Sequence, residues 1–482
     1  MTEHFDVVIV GAGLSGIGAA HHLQDKCPEK SYAILEARER IGGTWDLFRF
    51  PGVRSDSDMF TLGYRLRPWD GGKVIADGPS ILAYVRDTAR EQGIDRHIRF
   101  RHRVLRASWC TDTASWTIHT RHGSEDREFT CNFLYCCSGY YRYDEGYTPT
   151  WPGIEQFQGR VVHPQHWPDD LDYRGKRVVV IGSGATAVTM VPAMADTAAH
   201  VTMLQRSPSY ILSIPGKDPM ADLLRRVLPA RAAFGMVRWR NVLISFLSYQ
   251  LSRRRPKAMA KFIRSGVVRQ VPEGFETDKH FAPRYNPWDQ RLCLVPDGDL
   301  FKALTDGSAS IATDEIDTFT ARGIELQSGQ HLEAEIVVTA PGLNLLAIGG
   351  MHLIVDGAEI ALPDTMAYKG MMVTGVPNFA FAVGYTNASW TLKVDLTSEY
   401  VCRLLNYLDE KRYRSCVPVR DPGVQSYPLL DFQAGYVLRS LDQFPRQGSK
   451  DPWRVTMNYL RDIRAMRRGS IIEGLEFQPA TR

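Results

Sequence analysis

The sequence predicts an α/β fold with two Rossmann-like dinucleotide-binding domains and a mostly helical insertion. Three observations carry that prediction. Two glycine-rich turns each follow a run of apolar, mostly β-branched residues and precede a helical stretch. Between Leu223 and Pro272 the strand–helix alternation stops. That stretch has no acidic residue, and twelve Lys or Arg lie there among apolar side chains.

The first turn is Val7-Val-Ile-Val10-Gly11-Ala-Gly13-Leu-Ser15-Gly16. Four apolar residues predict a buried parallel strand, and Ile17 to Leu23 predicts a helix. Gly11 permits the tight turn, Gly13 lets the backbone approach a pyrophosphate, and Gly16 lets helix and strand pack closely. Amides at the helix start face the phosphates. The next strand, Tyr32-Ala-Ile-Leu35, ends in Glu36. An acid about 20 residues past the glycines accepts hydrogen bonds from a ribose. This site suits FAD.

The second turn is Val178-Val-Val-Ile181-Gly182-Ser183-Gly184-Ala185-Thr186-Ala187-Val188, with alanine at the last glycine position. The strand after it, His200 to Leu204, ends in Gln205-Arg206-Ser207-Pro208 and not in an acid. A carboxylate there would repel a 2′-phosphate, whereas the planar fork of Arg206 attracts one. This site suits NADPH. Glu335 to Gly342 reads as an apolar strand that returns the chain to the first domain.

The expected organisation follows. Residues 1–145 form the first part of the FAD-binding domain, 150–340 the NADPH-binding domain with its helical insertion near 215–285, and 341–482 the second part of the FAD-binding domain. The basic stretch 223–272 reads first as a solvated face, with an interfacial membrane contact or an oligomer surface as the other reading. A third helix signal runs from Trp390 to Leu405, with Asn387 or Ser389 as its cap.

Composition fits a globular enzyme: 482 residues, 44% hydrophobic and 23% charged. A net charge of +4 is too mild to imply nucleic acid. A strand pattern begins by Phe5, so no signal peptide is expected, and no apolar run is long enough to span a membrane. The eight cysteines show no zinc spacing, and no metal is expected. Read as reduced core residues, they point to the cytoplasm.

Three further stretches carry a family resemblance. Phe157-Gln-Gly159-Arg-Val-Val-His163-Pro-Gln-His166-Trp167-Pro168-Asp169 matches the fingerprint F-x-G-x-x-x-H-x-x-x-W-P/D. Gly42-Gly43-Thr44-Trp45 through Phe50-Pro51-Gly52-Val-Arg54-Ser55-Asp56 matches a second signature. Tyr285-Asn-Pro-Trp-Asp-Gln-Arg291 is the third, with Gly384-Tyr-Thr-Asn-Ala-Ser-Trp390 further on. By these motifs the chain resembles the class B flavin-dependent Baeyer–Villiger monooxygenases, within them the mycobacterial ethionamide-activating branch.

The resemblance implies a FAD-dependent, NADPH-consuming enzyme. It would insert one oxygen atom of dioxygen into ketones through a flavin peroxide, giving esters or lactones, and also oxidise sulfides or thioamides. It implies that Arg291 is the catalytic cation and that Asp56 orients it. It also adds Thr44, Trp45, Arg54, Ser55, Asp56, Val104, Ser138 and Gly139 to the cofactor-binding residues Gly11, Gly13, Ser15, Gly16, Glu36, Gly182–Val188, Arg206 and Ser207. Cys131 and Cys136 share the spacing of a flavin disulfide reductase, but the place of that pair after the first turn holds Gly42 to Trp45. His163 reads as a linkage residue or as a catalytic one. Two positions depart from the family pattern. Gln290 stands where many members have lysine, and Ala340-Pro341-Gly342 replaces Ala-Thr-Gly. The competing readings are a flavin-containing monooxygenase that prefers nitrogen and sulfur nucleophiles, and a non-oxygenating flavin redox sensor.

Overall fold

The computed structural model describes residues 2–290, 292–430 and 432–480. Among them, two parallel-cored sheets each carry one of the glycine-rich turns.

The first sheet has nine strands. Its core is Glu3–Val10, which pairs in parallel with Tyr32–Leu35 on one side and Glu125–Cys136 on the other. Tyr32–Leu35 is buried throughout, as an apolar run covered on both faces must be. Glu125–Cys136 does two jobs. Its exposed first residues pair antiparallel with Ser115–His122, while its buried last residues join the parallel core. The late strands His352–Val355 and Phe379–Phe381 return to this same sheet.

The second sheet has five parallel strands. Their order is Ala309–Thr313, His200–Gln205, Arg177–Ile181, Ile336–Thr339 and Arg160–Val162. The strand predicted near Glu335 is therefore central here, and the chain leaves for the first sheet only after it. The fingerprint segment is more than a linker, because its Arg160–Val162 forms the edge strand. Ile316–Thr320, Gly323–Leu326 and His331–Glu333 add a small antiparallel sheet that the sequence did not announce.

Three helices, Pro219–Val227, Ala230–Arg254 and Pro256–Val268, form the insertion. Asp218 caps the first by accepting from the Ala221 amide at 3.1 Å. Pro256 lacks an amide hydrogen, so it ends the second helix and starts the third. The expected solvated basic face is present, with nine of its twelve cations exposed, but Arg238 departs from it. Arg238 is buried and donates to the carbonyls of Phe60, Thr61 and Gly63 at 2.8, 3.2 and 2.7 Å. Three acceptors replace the water it gave up. Arg240 pairs with Asp218, and Arg225 donates to the Trp69 carbonyl.

The cysteines are all free, but Cys110 is exposed and so is not a core residue. It is the last residue of the strand Arg103–Cys110, where alternation turns it outward at the hairpin turn. Among the described residues, no helix is long and apolar enough to cross a membrane, and no cluster of His, Cys, Asp or Glu could hold a metal.

Candidate functional site

One cavity of about 1000 Å³ runs between the two sheets and takes in both glycine-rich turns. At the first turn Gly11 has φ +104°, and a Cβ there would stand 2.8 Å from the Cys137 carbonyl oxygen. Only glycine satisfies both conditions. Helix Leu14–Lys26 begins at the cavity with Gly13 at its cap, no side-chain cap and no acid in its first turn. Its amides and positive dipole end are left for an anionic ligand. Helix Ala185–Ala195 begins the same way behind Gly184. Two uncapped helix starts on one cavity fit two pyrophosphates.

Glu36 is buried and lines the cavity beside the first turn. One carboxylate oxygen accepts from the Ala12 amide at 2.7 Å and the other from the Arg38 amide at 2.8 Å. Burial raises its proton affinity, and those amides and Arg38 oppose the rise. Arg38 is held by Asp46, which is itself buried and also binds Arg86. This ion cluster seats the short helix Thr44–Leu47 against the first turn, where Gly42 donates to the Ala12 carbonyl at 3.1 Å.

The predicted residues Gly11, Gly13, Ser15, Glu36, Thr44, Trp45, Arg54, Ser55, Asp56, Val104, Ser138 and Gly139 all line this cavity. So do Gly182 to Thr186, Val188, Arg206 and Ser207. Gly16 and Ala187 do not. They lie behind the lining, where a small residue lets each helix approach its strand, so they act by packing and not by touching a ligand. Arg54 is paired to Asp299, and Ser55 is tied to the backbone of Ser57. Arg291 lies outside the described residues. Its neighbour Gln290 lines the cavity, and Asp289 is anchored by the Asn286 amide at 3.1 Å and by Arg253 at 2.7 Å.

His163 is not among the lining residues. Its Nδ1 accepts from the Gln165 amide at 3.1 Å and its ring packs under Gly146, where a Cβ would meet it at 2.1 Å. Burial holds its pKa below the ordinary histidine value. Gln165 donates to the Arg142 and Tyr143 carbonyls at 2.8 and 2.9 Å, stitching the fingerprint to the wall of the first domain.

Sequence reasoning missed an aromatic wall. Tyr140, Tyr141, Tyr143 and Tyr147 line the cavity directly after Gly139. A tyrosine cluster immediately following Ser138-Gly139 was the available signal. Tyr143 bonds Thr44 at 3.2 Å, and burial pushes its phenol up to about 12. Tyr436 and Arg439 come from far along the chain, and the Arg439 guanidinium stacks 3.5 Å from the Tyr147 ring centre. The helix Trp390–Lys411 also begins at the cavity. Ser389 occupies its cap position, but the expected capping bond is not made. Ser389 Oγ bonds Thr61 Oγ1 at 2.5 Å, and Asn387 donates to the Met457 carbonyl at 3.0 Å. Trp390 donates to Ser15 Oγ at 2.8 Å and so locks this helix to the first turn.

Comparison with known proteins agrees with this geometry. Residues 75–232 match the flavin-binding monooxygenase-like family, and residues 9–66 match the NAD(P)-binding Rossmann-like domain. The chain is 59% identical over 481 residues to the FAD-containing monooxygenase EthA of Mycobacterium tuberculosis, covering 99% of this chain and 98% of the relative. It is 54% identical over 476 residues to EthA of Mycolicibacterium smegmatis, with 98% and 96% covered. The probable FAD-binding monooxygenase AlmA of Acinetobacter baylyi is 47% identical over 479 residues, again with 98% and 96% covered. Among solved structures, an oxidized steroid monooxygenase bound to NADP superposes with a TM-score of 0.79 at 21% identity, covering 99% of this chain and 100% of that one. A closed cyclohexanone monooxygenase superposes with 0.75 at 19% identity, with 100% of both chains covered.

Proposed function

The chain belongs to the FAD-containing monooxygenases. From that premise we propose that it is an NADPH-consuming Baeyer–Villiger enzyme that inserts one oxygen atom of dioxygen into ketones, giving esters or lactones. Sulfides or thioamides are its second substrate class. The observation that carries this reading is continuity: a single cavity joins both glycine-rich turns, Asp56 and the aromatic wall.

Bound FAD, reduced by NADPH, supplies the activation of dioxygen. The chain binds, orients and stabilises charge. Amides at Gly13, Leu14 and Ser15 would hold the FAD pyrophosphate, and Glu36 would accept from its ribose. Gly184 to Thr186 would do the same for NADPH, with Arg206 and Ser207 holding the 2′-phosphate. Trp45 and the tyrosines exclude water around the reacting centre.

Arg291 is the proposed catalytic cation, on the strength of the Asp289-Gln290-Arg291 motif. A guanidinium cannot lose its proton, so its charge is permanent wherever the enzyme works. Negative charge develops as oxygen adds to a carbonyl carbon, and a fixed cation stabilises it without reorganisation. Asp56 is the proposed orienting partner. The anchored Asp289 and the lining residue Gln290 support the first assignment, and the place of Asp56 in the cavity wall supports the second.

The test is NADPH and oxygen consumption with product analysis, on aliphatic, cyclic and aromatic ketones and thioethers. Ester formation supports the proposal. Turnover of thioethers alone would move the protein to the nitrogen- and sulfur-oxidising class. Arg291→Ala should bind FAD and let NADPH reduce it, while ester yield falls about 10²–10³-fold and oxygen returns as hydrogen peroxide. Undiminished ester from a folded Arg291→Ala enzyme would remove Arg291 from the chemistry.

A further inference from the structure

Among the described residues sixteen large hydrophobic side chains are exposed, and eleven of them lie between Met220 and Val268. Scattered singly they would mean nothing, but concentrated in one insertion they mark a contact surface. On helix Ala230–Arg254 they form a stripe: Met236, Trp239, Leu243, Ile244, Leu247 and Leu251. The spacing of three and four residues puts them on one side of the helix. The other side is committed to the protein through buried Phe234, Val237, Arg238 and Val242. On the preceding helix Leu223 and Val227 are 59% and 67% exposed, again one turn apart.

The charge around the stripe selects what covers it. Arg231, Arg254, Arg255, Lys257 and Lys261 are exposed, and no acid occurs from Leu223 to Pro272. A second copy presenting the same face would set these cations against their own kind. An anionic bilayer satisfies both halves of the surface, with apolar side chains in the acyl boundary and cations on the headgroups. Since no described helix can cross a membrane, the helix would lie in the interface.

We propose that the insertion docks the protein on anionic lipid bilayers. The same helix reaches the cavity wall at two places along its length. Arg238 holds the backbone around Leu62, a lining residue, and Tyr249 stacks edge-on with Trp288, two residues before the lining residue Gln290. Docking therefore brings lipid-dissolved, apolar substrates close to the cavity. The docking inference stands independently of the oxygenation chemistry.

The test is sedimentation of the FAD-loaded full chain with vesicles of phosphatidylcholine containing phosphatidylglycerol, against vesicles of phosphatidylcholine alone. The partition coefficient should be about tenfold higher on the anionic vesicles and should fall as salt is raised. Leu243→Glu with Leu247→Glu should lower it about tenfold while flavin content and NADPH oxidation stay unchanged. As a second probe, Arg254→Gln with Arg255→Gln should remove the preference for anionic lipid and leave the fold intact. Equal partitioning on both vesicles, or wild-type binding by the Leu243/Leu247 variant, overturns the proposal. So does a dimer in analytical ultracentrifugation that the same variant dissolves, with no vesicle binding, since the occupant would then be a second copy.

Discussion

At the first glycine-rich turn a Cβ on Gly16 would stand 1.9 Å from the Gly11 carbonyl oxygen. At the second turn the matching position is Ala187, whose methyl is fully buried and accommodated. The strand ends differ too. Glu36 turns into the cavity with both oxygens fixed by amides, whereas Gln205 turns away, donating to the His280 carbonyl and to Thr313 Oγ1 at 2.8 Å each. That leaves exposed Arg206 to face the second half of the cavity. One strand–turn–helix plan is thus built to two tolerances. The tight version, closed by Trp390 and by the helix Thr44–Leu47, suits a dinucleotide that stays. The open version suits one that exchanges.

The harshest way to break this comparison is Gly16→Ala. The backbone carbonyl cannot move without disturbing Gly11, so the cost is about 1–3 kcal/mol or more and flavin should be lost. Flavin absorbance per polypeptide measures it, and full occupancy would show that the two turns share one tolerance. Glu36→Ala comes next. It leaves the Ala12 and Arg38 amides unpaired, at about 1–3 kcal/mol for a buried donor, and should weaken FAD in titrations of the apoprotein. Glu36→Gln keeps an acceptor and should lose less.

Arg206→Ala sharpens the contrast from the other side. The KM for NADPH should rise about tenfold, the low end for a charge-assisted bond, while the KM for NADH stays put. Equal losses for both cofactors would take Arg206 off the 2′-phosphate. The smallest effect concerns His163, in the segment between the two turns. Burial lowers its folded pKa below 6.5, so the unfolded chain binds more protons as pH falls. Its contribution to stability is present above that window and is lost on acidification. His163→Asn keeps an acceptor for the Gln165 amide but cannot titrate. Thermal unfolding against pH should therefore be flatter on the acid side, and an unchanged slope would assign the acid sensitivity to other buried histidines.

What was legible in the sequence was local. Both turns, Glu36 and Arg206 announce themselves within a few dozen residues, because strand, glycine and helix signals adjoin one another. What was not legible depends on partners far away. Arg238 reads as a surface charge until the carbonyls of residues 60–63 arrive beside it. Ser389 reads as a cap, but Thr61 wins its hydroxyl. Arg439 has no local reason to matter, since Tyr147 is what places it at the cavity. The edge strand Arg160–Val162 was hidden because only its neighbour Ile336–Thr339, late in the chain, gives it a ladder.

The way the two sheets are threaded sets an order of assembly during synthesis. Every strand of the five-stranded sheet lies between Arg160 and Thr339, so that unit is complete while the rest of the chain is still on the ribosome. The nine-stranded sheet opens with Glu3–Val10 but receives Phe379–Phe381 last, and Trp390 bonds Ser15 later still. The amino-terminal half must therefore wait, with apolar strands unfinished, until the carboxy-terminal half emerges. Nascent chains arrested far enough beyond Thr339 for that strand to clear the ribosomal tunnel should resist protease across the inner unit and be cut readily before it. Uniform protection of both would mean that the amino-terminal strands find a stable arrangement without their late partners.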